Sequence, residues 1–190
     1  IVTGLVGSEM CIRDRHIIPK GLDHILFIFG LFLFSSSLKK LITQITIFTI
    51  AHSITLIFVS LSLMKINPQI VEPIIALSIV YVGIENIFKN YVKEYLRYVV
   101  ILFFGLLHGL GFALVLSDIG YRSTDLFINL ISFNIGIEVA QISLVLTLYL
   151  FIALNFAKSK NYRIFFQVPS SILISSIGLY WFFERINFFN

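Results

Sequence analysis

The chain has 190 residues, 58% of them hydrophobic and only 13% charged, with a mean hydropathy of +0.96. Soluble domains sit nearer half apolar and a quarter charged, so composition excludes an ordinary water-soluble domain and predicts a polytopic membrane domain. The net charge of +4 is spread over short loops without a basic stripe, which excludes a nucleic-acid partner. The single cysteine, Cys11, excludes both a disulfide framework and a thiolate metal cluster.

Residues 1–15, IVTGLVGSEMCIRDR, match neither the apolar helical pattern nor the Ile/Phe/Lys/Asn-rich style of the rest. GSEMCIRDR resembles translated adapter read-through, so this segment is expected to be non-native and is set aside. Residues 16–190 are then read as a single domain. A spanning helix needs about 20 mostly apolar residues. Six such runs follow one another, at 21–37, 41–64, 70–88, 96–117, 125–156 and 164–184. The expected fold is all-α, a transmembrane bundle of about six helices.

The first run opens with Gly21-Leu22-Asp23-His24, a carboxylate beside an imidazole at its outer edge. Such ligands suit borderline divalent ions, whereas Cu(I) would need thiolates or thioethers; a headgroup-level helix start explains the same residues without a metal. In the second run, Thr49, His52 and Ser53 share a helix face. A neutral histidine bonded to a neighbouring helix is the plainer explanation there. The third run carries Ser78, Tyr81 and Glu85 beside Asn86, and Glu72 at its outer end, where headgroup exposure suffices. In the fourth, Gly105, Gly109 and Gly111 surround His108. These glycines permit close helix approach and leave clearance around the imidazole; packing alone does not explain the histidine. The fifth places Asn134, Glu138 and Gln141 on one face, a stripe that is costly to present to lipid.

An ionisable group at bilayer depth costs roughly 2.5–3.5 kcal/mol on insertion scales, so it normally faces a partner, a cavity or a pathway. The spans put Asp23 and His24 at an outer level, His52, His108 and Glu138 near the middle, and Glu85 at an inner level. Such a graded series of ligands is what conduction needs, because one tight cage would trap the ion.

Lys39, Lys40, Lys89, Lys93, Arg97, Lys158, Lys160 and Arg163 fall in the odd loops, against Lys65 and Arg122 in the even ones. The odd loops are therefore expected in the cytoplasm and both termini outside, with Lys20 and Arg185 in mild opposition. A weak echo relates the second and third runs to the fourth and fifth. Phe48-Thr-Ile-Ala-His52 aligns with Phe104-Gly-Leu-Leu-His108, and Gly83-Ile84-Glu85 with Gly136-Ile137-Glu138. Both halves start on one membrane side, so a duplication would be parallel.

The strings GLDHILF (21–27), FTIAHSITL (48–56), VEPIIALSIVYVGIEN (71–86), FGLLHGLGFA (104–113), FNIGIEVAQ (133–141) and GLYWFFER (178–185) resemble the HupE/UreJ membrane proteins, in order along the chain. The resemblance implies nickel supply to hydrogenase or urease, or handling of another divalent metal. It also maps a His-and-acid motif onto His16, Asp23 and His24, although here two residues separate His16 from Pro19.

The expectation is an inner-membrane permease of a bacterium, moving nickel first and cobalt or iron as alternatives, with no tightly bound cofactor. Asp23 and His24 would capture the ion, His52, His108 and Glu138 would form the central site, and Glu85 would assist exit. Thr49, Ser53, Asn86, Asn134 and Gln141 would support them. The expected partners are the lipid bilayer, the metal ion, and a second copy or a metallochaperone. Two rivals remain open. One is an intramembrane zinc hydrolase, opposed by the different levels of His24 and His52, since catalytic zinc needs its ligands within about 2 Å of one ion. The other is a non-transporting metal-binding accessory of hydrogenase or urease maturation.

Overall fold

The computed structural model describes residues 21–34, 37–61, 63–64, 66–88, 93–118, 126–153 and 161–187. The 1–15 segment, with Cys11, and residues His16, Pro19 and Lys20 lie outside the described residues. Among those described, all regular structure is helical: α1 Gly21–Phe34, α2 Leu38–Ser60, α3 Pro68–Ile87, α4 Glu94–Asp118, α5 Leu126–Leu148 and α6 Val168–Asn187. A π-helical turn, Tyr149–Ala153, continues α5, and another, Arg163–Gln167, leads into α6. Five of the helices are long and apolar enough to cross a membrane, and α1 is a shorter apolar helix. The protein is an all-α membrane bundle.

Local signals place the helix ends. Asn67 caps α3, its side chain accepting from the Gln69 amide at 3.0 Å, and Pro68 follows at the first helical position, where its missing N–H costs nothing. Lys39 and Lys40 fall inside the first turn of α2 rather than in a loop, and Lys40 pairs with Glu94 at the start of α4. Both side chains are half exposed, so this pair contributes at most about 1 kcal/mol. It does show that α2 and α4 start at the same end of the bundle.

Helix α1 occupies the centre. Phe27, Ile28 and Leu31 are fully buried, and Phe32 and Leu33 nearly so; a helix apolar all round belongs inside. Phe27 stacks on Phe48 of α2 at 5.0 Å and meets the edge of Phe104 of α4 at 5.9 Å. Against α3, Gly30 faces Val82, and Asn86 donates to the Gly30 carbonyl at 2.9 Å. Around this helix, α2 packs mainly on α4 and α3 on α6, with lighter contacts between α2 and α5 and between α3 and α4.

Glycine makes the α2–α4 contact close. A Cβ on Gly105 would stand 2.6 Å from the Phe48 carbonyl oxygen, and one on Gly109 would collide with the His52 carbonyl and the Thr55 hydroxyl. Thr55 uses the proximity to donate to the Leu106 carbonyl at 2.9 Å. These two glycines thus set helix approach, and clearance beside His108 falls to Gly111, whose added Cβ would run into Ile75 of α3. The α3–α6 seam repeats the device: a Cβ on Gly83 would strike Ser175 and the Ser171 carbonyl.

The packing also has the pattern of the sequence echo. His52 and His108 lie equally far from the first residues of α2 and α4. Exchanging α2 with α4 and α3 with α5 turns the α2–α5 contact into the α4–α3 contact and leaves α2–α4 unchanged.

Gly109→Ala should lower the thermal unfolding midpoint of the detergent-solubilised protein, because overpacking costs about 1–3 kcal/mol. Gly136, with nothing near its missing Cβ, is the control. Gly136→Ala should leave the midpoint unchanged or raise it, since helix propensity gains about 1 kcal/mol.

Candidate metal centre

Three imidazoles from three helices meet near the Gly21 end of α1. The His24 ring lies 5.2 Å from that of His52 and 5.0 Å from that of His108, edge to face in both cases. His24 was expected at an outer level, apart from His52; instead they touch. The first described turn of α1 packs at the level that His52 and His108 occupy well inside α2 and α4.

Each ring is held differently. His108 is fully buried, and its Nδ1 donates to the Phe104 carbonyl at 2.8 Å. A carbonyl only accepts, so in the neutral ring the lone pair sits on Nε2, which has no hydrogen-bond partner. His52 is buried with neither ring nitrogen hydrogen-bonded. Buried polar atoms are normally satisfied, so such nitrogens mark either a site or a water position. Among the described residues no group of three His, Cys, Asp or Glu side chains already converges on one ion. The spacing is nevertheless compatible with a shared ion: a metal–imidazole bond of about 2.1 Å puts two ring centroids up to about 6 Å apart.

Toward the Asp23 end of α1, a cavity of about 20 Å³ is lined by Asp23, His24, Glu72, His108, Gly111 and Arg185. That is room for one water or one bare cation. Both Asp23 carboxylate oxygens accept from Arg185 Nη2 at 2.9 Å, while Arg185 Nη1 donates to the Glu72 carbonyl at 2.9 Å. Arg185 is thus a buried partner of α1 and not a loop charge opposing the orientation. On the other side the floor is apolar. Phe27 and Phe48 each lie 5.1 Å from the His108 ring, with Phe104 behind them.

The remaining carboxylates stand apart from the imidazoles. Glu85 accepts from Arg97 at 2.6 Å, and the guanidinium lies over the Phe34 ring at 3.5 Å. Arg97 is buried too, so it leaves the count of free loop charges. Asn86, beside it, is engaged with α1. Glu138 is half-buried and accepts from Thr46 at 3.0 Å, and Gln141 accepts from Thr49 at 3.1 Å. Ser53 donates to the Thr49 carbonyl, and Asn134 to the Leu130 carbonyl. The structure therefore gathers His24, His52 and His108, puts Asp23 at their outer edge, and leaves Glu138 and Glu85 on separate levels. Sequence reasoning missed Arg185, Arg97, Glu72 and the phenylalanine floor. A signal existed for Arg97, which lies within the 96–117 run, where an unpaired guanidinium is costly; Arg185 falls just past the 164–184 run.

This arrangement defines a class: a polytopic membrane protein whose interior holds an imidazole cluster with neutralised carboxylates at its margins. The chain belongs to the HupE/UreJ family. The family profile described as HupE / UreJ protein matches residues 8–185, beginning inside the 1–15 segment set aside on sequence style. No curated protein and no solved structure matches the chain. The family is associated with nickel and cobalt transport or with maturation, and with metal handling rather than catalysis.

Arg185→Leu should cost about 3–5 kcal/mol, the penalty for leaving a buried charge without its partner. Adding Asp23→Leu should recover most of the loss in thermal unfolding of the solubilised protein. Failure of the double variant to recover would mean that Arg185 acts mainly through the Glu72 carbonyl.

Proposed function

We propose that the protein is a secondary permease for a divalent transition metal, nickel first, with cobalt or ferrous iron as alternatives. The observation that carries this reading is the meeting of His24, His52 and His108, with the Nε2 lone pair of His108 and both nitrogens of His52 uncommitted. Imidazole suits nickel, cobalt, iron and zinc, and a site without thiolates or converging carboxylates binds them only moderately. Moderate affinity favours passage over storage. The ion reaches the imidazoles through the small outer cavity, where Asp23 and Glu72 supply negative charge and Arg185 limits it.

The hydrolase reading loses its objection from depth, because His24 and His52 do meet. Other observations disfavour it. A catalytic zinc needs a base beside its water, and Asp23 is tied to Arg185 through both oxygens. Glu138 bonds at Thr46, about 9 Å from His52 along α2. The maturation accessory is the remaining alternative, and uptake separates it from a permease.

His52→Ala and His108→Ala should each reduce nickel or cobalt uptake by cells at least tenfold at unchanged membrane abundance. The visible absorption of Co²⁺ bound to purified protein should fall in parallel. Parent-level uptake in both variants would remove the imidazoles from the path, and Co²⁺ binding without uptake in the parent would favour the accessory.

The orientation proposed is bacterial inner membrane with the odd loops cytoplasmic. With Arg97 and Arg185 paired inside, Lys39, Lys40, Lys93 and Arg163 carry the bias among the described residues. Cysteine at position 93 should resist an impermeant thiol reagent in intact cells, and cysteine at position 63 should react. The opposite labelling would invert the path.

A further inference from the structure

Direct descent from the imidazoles is closed. Phe27, Phe48 and Phe104 pack edge and face beneath them, and the Glu85–Arg97 pair lies beyond that floor, already neutral. Space opens sideways instead. A cavity of about 370 Å³ between α1, α4 and α5 is bordered by both His24 and Gln141, with Phe112 and Phe133 among its apolar walls. Its walls are apolar apart from His24 and Gln141, so any polar passage follows those two side chains. From Gln141, a polar seam runs along α2 and α5 toward the start of α2: Thr49 to Gln141, then Thr46 to Glu138.

Two observations single out Glu138 on this seam. The first is an asymmetry between the two halves. Glu85 and Glu138 are equivalent in the repeat, and Arg97, eleven residues before His108, neutralises Glu85. Eleven residues before His52 stands Leu41, which is fully buried. Among the described residues Asp23 and Glu85 each have an arginine, whereas Glu138 has only the Thr46 hydroxyl. The second is Gln141, which is buried and keeps one amide atom without a partner. Exchanging its oxygen and nitrogen still satisfies Thr49, through N–H donation to the hydroxyl, and then leaves the carbonyl oxygen open as a ligand.

We infer that Glu138, with the Thr46 hydroxyl and the Gln141 amide, is a second cation site on the inward leg of the path, an oxygen-donor station beyond the imidazoles. The inference rests on the permease reading. A divalent ion leaving three neutral imidazoles meets no negative charge in the phenylalanine floor, and at Glu138 it meets an uncompensated carboxylate about 9 Å further along α2. Oxygen donors hold nickel or cobalt less tightly than imidazole, so the station passes the ion on.

The test uses the full chain with Co²⁺ as probe, in detergent for visible absorption and in liposomes for uptake. Glu138→Gln should bind Co²⁺ at the imidazoles with unchanged absorption and affinity within about twofold, yet lose at least tenfold in uptake. Glu138→Asp, which keeps the charge, should restore a substantial part of that rate. Uptake by Glu138→Gln at the parent rate overturns the second site. So does loss of Co²⁺ absorption matching that of His108→Ala, which would place Glu138 at the imidazole centre and leave the permease reading standing. A parent protein that neither binds nor passes Co²⁺ overturns the permease reading and the second site with it.

Discussion

The pairing of Arg185 with Asp23 fixes the depth of α1, and the metal centre depends on that depth. A carboxylate as deeply buried as Asp23 is too costly to keep charged alone, so it must sit where a guanidinium can reach it. Arg185 reaches it from the end of α6 and is itself steadied by the Glu72 carbonyl of α3. At the other end of α1, Phe34 lies under Arg97, which holds Glu85. The central helix is thus pinned at both ends by arginine–carboxylate pairs, and His24, one residue past Asp23, is carried into contact with His52 and His108. Shifting α1 by one turn would move it about 5.4 Å, enough to separate His24 from both rings.

Much of this was legible in the sequence. Apolar runs of spanning length gave the helices to within a few residues, because bilayer thickness sets helix length and leaves few other solutions. Ionisable residues inside those runs marked the interior, because lipid does not tolerate them. Depth was misread where a run was short. Counting from the ends assumes that every helix starts at the membrane surface, whereas the His24 turn of α1 packs against His52 and His108 well inside α2 and α4. The glycines around His108 were read partly as clearance. Gly105 and Gly109 bring α2 and α4 together, as their spacing indicates, and the clearance falls to Gly111 alone. Arginines 97 and 185 were counted as topology signals because their carboxylate partners lie on other helices.

The same neighbour relations explain the aromatic floor. Phe27, Phe48 and Phe104 look like any membrane phenylalanines in a chain with 20 of them. Only the convergence of α1, α2 and α4 makes them a layer beneath the imidazoles. A layer of this kind excludes water and raises the cost of a charge crossing it, so a polar detour is favoured over a straight channel wherever one exists.

The weak sequence echo between α2–α3 and α4–α5 is not matched in charge. If α2–α3 and α4–α5 were identical in charge as well as packing, each glutamate would be neutralised by an arginine and an ion at the imidazoles would have no preferred exit. With Leu41 at the position that Arg97 takes on α4, Glu138 has no arginine beside it among the described residues. The symmetric α2–α4 pair can then hold the two imidazoles at matched depth, while the asymmetric charge decides where a bound cation goes next. Under the permease reading, Asp23 with Arg185 would set the outer boundary of that gradient, and Glu138 its inner attraction. On that reading, transport needs no large rearrangement of the α2–α4 core. It needs the imidazoles to turn from their edge-to-face packing toward the ion, and α5, the least buried of the long helices, to accommodate the ion along its seam with α2.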